Sequence, residues 1–199
     1  MASMELILSL LQQMCVYLVL AYMLSKTPLF LPILSISSHR KHRYLVYVVF
    51  SSFCILGTYF GLQIDDAIAN TRAIGAVIGG LLGGPVVGFA VGLTGGLHRY
   101  SLGGFTDVAC AISTTLEGLI GGLMHVYYVR QNKSLDLFNP WKVGVITFIA
   151  ELFQMAILLT VAEPFEKSYA LQGRPWQMKG AYEVFKTLYL LIGLLRRKI

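Results

Sequence analysis

The stretch that decides the fold lies at residues 70–104 and reads NTRAIGAVIGGLLGGPVVGFAVGLTGGLHRYSLGG. Two arginines, Arg72 and Arg99, bracket an apolar run that is rich in glycine and contains no acidic residue. An arginine beside membrane-embedded sequence is costly, by about 2.5–3.5 kcal/mol at the bilayer centre, so it usually faces a cavity or a partner. Because this run supplies no anion for either arginine, the missing partner is a candidate ligand.

The composition is that of an integral membrane protein. Of the 199 residues, 56% are hydrophobic and 13% are charged, which is about half the charged fraction of an average soluble domain. The net charge is +6, but the basic residues gather at predicted helix ends, which favours membrane anchoring over nucleic-acid binding. The three cysteines lie in apolar runs without CxxC or Cys/His pairing, so neither a disulfide framework nor a zinc site is predicted, and no cofactor.

Four apolar runs have the roughly 20 residues that a membrane-spanning helix needs. They are Leu6–Leu24, Tyr44–Leu62, Asp107–Val129 and Val143–Ala162, and a weaker fifth run is Tyr182–Leu195. The first run has no basic residue before it and is long enough to span, so no signal peptide is predicted. The two lysines and two arginines of residues 26–43 place that connection in the cytoplasm by the positive-inside rule, and the N-terminus therefore outside.

Residues 73–97 fit a broken or re-entrant hairpin better than a single long third helix, which is the alternative. Gly83-Gly84-Pro85 lies at the middle, and proline ends or kinks a helix. Each arm has about 12 residues, or about 18 Å of helix, which is too short to cross the membrane. The hairpin keeps Arg72 and Arg99 on the outer side, with residues 130–142 inside. We therefore predict an all-α membrane bundle of about five spanning helices plus this glycine-rich hairpin.

The two arginines suit a small carboxylate ligand. A guanidinium group matches a carboxylate with two parallel hydrogen bonds, so two such groups converging from the ends of a hairpin favour a small carboxylate or keto acid. The residues alone leave another interpretation open. Arg72 could instead pair with Asp65 or Asp66, and Arg99 with Asp107 or a lipid phosphate.

Polar residues on the next predicted helix could complete a pocket. Cys110, Ser113, Thr114 and Glu117 have the spacing of one helical face, and the first two lie near the membrane level of Arg99. A buried serine in a membrane helix often bonds to its own backbone instead. A nucleophilic cysteine needs a nearby base, and His98 is the only histidine close in sequence, which is weak support for an enzyme.

Residues 65–85 together with residues 92–104 resemble the LytS/YehU-type membrane receptor domain. This is the five-helix input domain of sensor histidine kinases that work with LytTR response regulators. The similarity extends over about residues 1–165, and an Asn-x-Arg, Gly-Gly-Pro, Arg and Gly-Gly constellation carries it. Residues 172–199 do not resemble the family's last helix. We therefore expect one receptor domain over residues 1–199, with an atypical tail, no kinase domain and no enzymatic activity of its own.

The resemblance implies a receptor for extracellular pyruvate in the bacterial cytoplasmic membrane. Its ligand-binding positions correspond here to Arg72, Arg99, Cys110 and Ser113. It further implies a homodimer that reaches a response regulator through a kinase module. The alternative is a small-carboxylate transporter or substrate-capture membrane subunit, because a site beside broken helices is also typical of transporters. No internal two-fold repeat is visible, which favours the receptor.

Overall fold

The computed structural model describes residues 40–59, 63–64, 67–68, 72–104, 106–131 and 139–161, together with isolated positions between residues 12 and 27. Within residues 40–161 it contains five helices: α1 (Arg40–Tyr59), α2 (Arg72–Gly83), α3 (Pro85–Ser101), α4 (Asp107–Arg130) and α5 (Pro140–Val161). Two strands of two residues each, β1 (Gln63–Ile64) and β2 (Ala67–Ile68), pair antiparallel between α1 and α2. The helical fold class is thus confirmed for the described residues.

Three of the predicted spans are helices with shifted ends. The span predicted at Tyr44–Leu62 is α1, which begins at Arg40 and ends at Tyr59. Helices α4 and α5 correspond to the next two, and both are long and apolar enough to cross a membrane. Among the described helices, α1 does not meet that criterion. The predicted span Tyr182–Leu195 and most of Leu6–Leu24 lie outside the described residues, so the number of spans stays a prediction.

Helices α2 and α3 form a hairpin that turns at Gly84. This glycine has φ 83° and ψ −178°, and Pro85 begins the next helix, where its missing N–H is not needed. Gly75 on α2 and Gly95 on α3 both pack against Cys54 of α1, at the same height in the bundle. The arms therefore run back along each other. A single continuous helix over residues 73–97, the alternative interpretation, is wrong.

Small residues let the hairpin approach α4 at backbone distance. A Cβ atom on Gly88 would overlap the carbonyl oxygen of Gly118, and one on Gly96 would lie 2.7 Å from the carbonyl oxygen of Ala111. Real Cβ atoms essentially never come so close to backbone atoms. Glycines at three- and four-residue spacing commonly allow such contact between membrane helices. The hairpin is therefore locked to α4 along most of its length.

The polarity of the bundle is inverted relative to a soluble protein. The outward face of α3 carries large apolar side chains that are exposed, while two arginines and two glutamates are buried. Charged side chains are rarely buried in soluble proteins, and membrane proteins direct them toward the bundle interior. The exposed stripe on α3 has helical spacing and consists of Val86, Phe89, Leu93, Leu97 and Tyr100.

The two ends of the bundle differ in charge. At the hairpin tip, the ring of His125 on α4 bonds to the carbonyl oxygen of Leu81 at 2.7 Å. Beyond His125, α4 ends in exposed Arg130, and Lys142 at the start of α5 lies 5.6 Å from the centre of the Tyr128 ring. The hairpin tip therefore shares one end of the bundle with these basic residues. The two hairpin arginines share the other end.

Candidate functional site

Arg72 is the first residue of α2 and has no exposed surface. Its Nη1 donates to the Thr58 hydroxyl near the end of α1 at 3.5 Å, and its carbonyl oxygen accepts from the Cys54 thiol at 3.5 Å. The guanidinium also interacts through its charge with Glu117 of α4 and Glu151 of α5. Arg72 thereby connects α2 with three other helices.

Arg99 lies in the last turn of α3 and is also fully buried. Its Nη1 donates to the carbonyl oxygen of Gly103 at 2.5 Å, and its Nη2 donates to the Thr106 hydroxyl at 3.2 Å. Gly103 and Gly104 have φ of 72° and 108°, a conformation that reverses the chain after the helix and that glycine adopts readily. The Nε atom has no hydrogen-bond partner among the described residues.

Three of the four predicted ligand-binding residues come together at this end of the bundle. Arg99 interacts with the positive charge of Arg72 and hydrogen-bonds with the side chain of Cys110, which is buried in the first turn of α4. Two guanidinium groups within electrostatic range of each other repel in a low-dielectric interior. An anion placed between them would relieve that repulsion.

Ser113 lies one helical turn beyond Cys110 and is also buried. Its hydroxyl donates to the carbonyl oxygen of Cys110 at 3.0 Å, the local bond that a buried helical serine often makes. The Thr114 hydroxyl donates to the same carbonyl at 2.8 Å. Ser113 also lines a cavity of about 180 Å³ between α4 and α5, together with Glu117 of its own helix.

Of the aspartates predicted as alternative partners of the two arginines, Asp107 lies among the described residues. Asp107 interacts through its charge with Arg99, while its Oδ1 accepts from the backbone N–H of Val108 at 2.6 Å. Asp65 and Asp66 lie outside the described residues. His98, the one candidate base near Cys110, packs its ring against Tyr59 with 5.2 Å between ring centres.

Two residues of the site, Thr58 and Thr106, were missed by sequence reasoning, and two others, Glu117 and Glu151, were not assigned to the predicted ligand-binding set. Thr58 and Thr106 each accept a hydrogen bond from one arginine, and a threonine at the end of an apolar segment gives no signal of such a role. Glu117 and Glu151 lie within electrostatic range of Arg72. The helical face shared by Cys110 and Glu117 was a usable signal, because an ionisable residue inside a membrane segment is a functional candidate by default.

The domain that carries this site is similar to known proteins. Residues 27–173 match the family model described as the 5TMR of 5TMR-LYT. The chain is 58% identical over 171 residues, 86% of its length, to the sensor histidine kinase BtsS of Escherichia coli (strain K12). It is 33% identical over 183 residues, 84% of its length, to the sensor protein LytS of Bacillus subtilis (strain 168).

The similarity covers part of each relative. The chain spans 30% of the length of BtsS and 30% of the length of the Bacillus subtilis LytS. A more distant relative, the sensor histidine kinase YpdA of Escherichia coli (strain K12), is 28% identical over 79% of the chain and 27% of its own length. No solved structure matches the chain.

Proposed function

The chain belongs to the 5TMR-LYT family of membrane receptor domains, and we propose that it is the sensor region of a LytS- or BtsS-type histidine kinase two-component system. The proposed ligand is a small extracellular carboxylate, with pyruvate as the first candidate. The observation that carries this proposal is the pair of fully buried arginines, Arg72 and Arg99, at one end of the bundle. Buried charges need partners, and guanidinium groups recognise carboxylates by paired hydrogen bonds. The family resemblance points to the same two residues.

The proposal assigns a role to each residue of the site. Arg72 and Arg99 hold the carboxylate from two sides, and the keto oxygen lies against one of them. Cys110 shapes the pocket without a covalent role. Ser113 turns its hydroxyl away from the backbone of its own helix and donates to the ligand.

The proposal also assigns a membrane topology. The hairpin enters from the outer side and returns to it, so residues 63–72 and 98–106 face outward while residues 26–43 and 130–142 face the cytoplasm. Two observations support it: the hairpin tip shares an end with Arg130 and Lys142, and Arg72 and Arg99 lie at the other end. The basic end is the cytoplasmic end by the positive-inside rule.

Cysteine labelling in a cysteine-free background tests this topology. Ser101→Cys is suitable because Ser101 is exposed at the end of α3. A membrane-impermeant maleimide added from outside should label it, and should label Arg130→Cys only after the membrane is opened. Labelling of position 101 from the cytoplasmic side alone would overturn the re-entrant hairpin.

The remaining assignments follow from this family and topology. We propose a location in the bacterial cytoplasmic membrane, with the N-terminus outside. A homodimer would then reach a response regulator through a kinase module. Because the same broken-helix site suits a transporter, pyruvate uptake into proteoliposomes distinguishes the two functions. A receptor should bind labelled pyruvate without accumulating it.

Binding measurements on the purified chain test the ligand proposal. Arg72→Ala and Arg99→Ala should each weaken pyruvate binding by about ten- to a hundredfold or more, because a hydrogen bond to a charged group contributes about 1.5–3 kcal/mol. Arg→Lys at either position should restore little, because an ammonium group lacks the planar fork. Arg130→Ala, which removes an exposed arginine at the other end, is the matched control. Wild-type affinity in either alanine variant would remove that arginine from the site.

A further inference from the structure

Glu117 of α4 carries a buried carboxyl group without hydrogen bonds. Its side chain is 1% exposed, and neither carboxyl oxygen has a hydrogen-bond partner among the described residues. Buried polar atoms are hydrogen-bonded in about nine cases in ten, so two unpaired oxygens on one side chain need an explanation. A carboxyl group in an apolar interior keeps its proton where no hydrogen bond replaces its lost hydration. Glu117 is therefore a neutral carboxylic acid, which can donate one hydrogen bond and accept others.

The cavity between α4 and α5 lies beside this acid. It has a volume of about 180 Å³, and Glu117 is one of its lining residues. Ser113, one turn earlier on α4, and Gln154 on α5 are its other polar lining residues. The remaining lining residues are apolar, and they are Leu116, Ile120, Ala150, Phe153 and Ile157. Apolar walls with a few polar groups are typical of a small-molecule site.

The lining of the cavity disfavours charged ligands. No lysine, arginine or histidine lines it in the described part of the chain, so a carboxylate ligand would lie beside Glu117 without a counter-charge. An ammonium ligand would require Glu117 to ionise in the apolar interior, and both charges would lose their hydration. A neutral hydroxyl group avoids this cost, because it can donate to and accept from a protonated carboxyl group.

The cavity can be reached from the membrane. Leu116 and Phe153, which line it, are 42% and 62% exposed, so its mouth lies on the apolar outer surface of the bundle. A molecule dissolved in the lipid can therefore enter between α4 and α5. Since an apolar cavity of about 150 Å³ can hold benzene, this one has space for an apolar body of about six heavy atoms.

We propose that this cavity is a second binding site, which takes a small uncharged alcohol or phenol from the membrane and holds its hydroxyl group against the carboxylic acid of Glu117. The site differs from the proposed carboxylate site because no arginine lines it and because it opens between α4 and α5. A molecule bound there would also fix the separation of these two helices.

Two fluorinated probes, 4-fluorophenol and fluorobenzene, test this site in the purified chain in lipid nanodiscs. They share the same ring, and only the phenol has a hydroxyl group, which is un-ionised at neutral pH. Fluorine NMR titration gives each dissociation constant, referred to the concentration of the probe in the bilayer as measured with protein-free nanodiscs. The phenol should bind about threefold to tenfold more tightly than fluorobenzene, because it gains a hydrogen bond to Glu117.

Substitutions in the cavity show where the probes bind. Glu117→Leu should remove the preference for the phenol, whereas Glu117→Gln should keep most of it, because an amide also donates and accepts. Ala150→Leu should fill the cavity and weaken the binding of both probes about tenfold or more. Ala156→Leu is the matched control, because Ala156 is exposed on the same helix and does not line the cavity.

Several results would overturn the proposal. If neither probe binds, or if both bind equally, Glu117 does not hold a hydroxyl ligand and the cavity contains water at most. Unchanged binding in Ala150→Leu would place the probes elsewhere. Loss of the preference in Glu117→Gln would mean that the site recognises a charged carboxylate instead of the acid. None of these measurements uses pyruvate, so their outcome is independent of the proposed function.

Discussion

Helix α4 has two contrasting interfaces, one with the hairpin and one with α5. Toward the hairpin, Gly118, Gly121 and Gly122 bring backbone against backbone, without room for a single Cβ atom. Toward α5, side chains such as Leu116 and Phe153 meet around a cavity of about 180 Å³. Backbone contacts cannot adjust, whereas side chains around a cavity can change rotamer.

The contrast explains where the arginine cluster lies. Arg72 and Arg99 are at the ends of the hairpin, so their positions are set by the close-packed interface. Glu117 and Ser113 border the α5 interface, where space for movement exists. A ligand shifts the balance between two conformations only if it binds them with unequal affinity. A second conformation costs the least free energy at the α5 interface, because the side chains there have space to move. We therefore expect ligand-dependent movement of α5 relative to α4, with the hairpin staying fixed.

The largest expected effect comes from adding one methyl group to the close-packed interface. In Gly80→Ala the new Cβ would overlap the carbonyl oxygen of Gly118 and lie 2.6 Å from the backbone nitrogen of Gly122. Because neither backbone atom can move without shifting a helix, we expect a loss of about 3 kcal/mol or more in the free energy of unfolding. Denaturant titration in detergent measures it. A loss below about 1 kcal/mol would mean that this interface is compliant too.

A smaller effect is expected at the tip of the hairpin. A Cβ atom on Gly84 would meet nothing closer than the His125 ring at 3.6 Å, so Gly84→Ala creates no clash. The cost of this substitution is conformational, because residues with a side chain rarely adopt φ 83° with ψ −178°. We expect a loss of about 2 kcal/mol in the free energy of unfolding. The same denaturant titration applies. Full wild-type stability would show that the turn tolerates a different backbone conformation.

The contrast between the two interfaces also marks what the sequence could predict. The Gly83-Gly84-Pro85 break, the hairpin and the convergence of Arg72 and Arg99 follow from glycine spacing and from the cost of charge in a membrane. The start of α1 at Arg40, four residues before the predicted Tyr44, could not be read from apolar length because basic side chains can extend a helix beyond its apolar part.

The placement of α4's polar residues was harder to predict. Cys110 and Ser113 are three residues apart, yet the first interacts with Arg99 while the second also lines the cavity beside α5. Helical spacing groups residues on a face but does not say which neighbour that face will meet. Gly118, Gly121 and Gly122 have the spacing of one helical face and mark the side of α4 that meets the hairpin, but they do not show which residues meet α5. For the same reason Glu117 was noticed but was not assigned to the site.

Within the close-packed region, single hydrogen bonds should have moderate effects. Thr106→Val keeps the shape of the side chain but removes the acceptor for Nη2 of Arg99, and we expect pyruvate affinity to fall about fivefold to tenfold. Calorimetry on the purified variant measures this. Thr115→Val is the matched control, because the Thr115 hydroxyl donates to the carbonyl oxygen of Ala111 in its own helix. Equal losses in both variants would show that threonine-to-valine changes act through helix packing, not through Arg99.

The smallest expected effect comes from adding volume at the α5 interface. Ala150 is 3% exposed and lines the cavity between α4 and α5, so Ala150→Val adds two methyl groups at an interface that has space for them. Gly80→Ala, by contrast, adds one methyl group at an interface that has no space for it. Lipid is as apolar as a protein core, so filling the cavity adds only van der Waals contact. We expect the free energy of unfolding, measured by the same denaturant titration, to rise by no more than about 1 kcal/mol. A loss as large as that of Gly80→Ala would mean that both interfaces of α4 are equally rigid, and that the path of movement through α5 must be sought elsewhere.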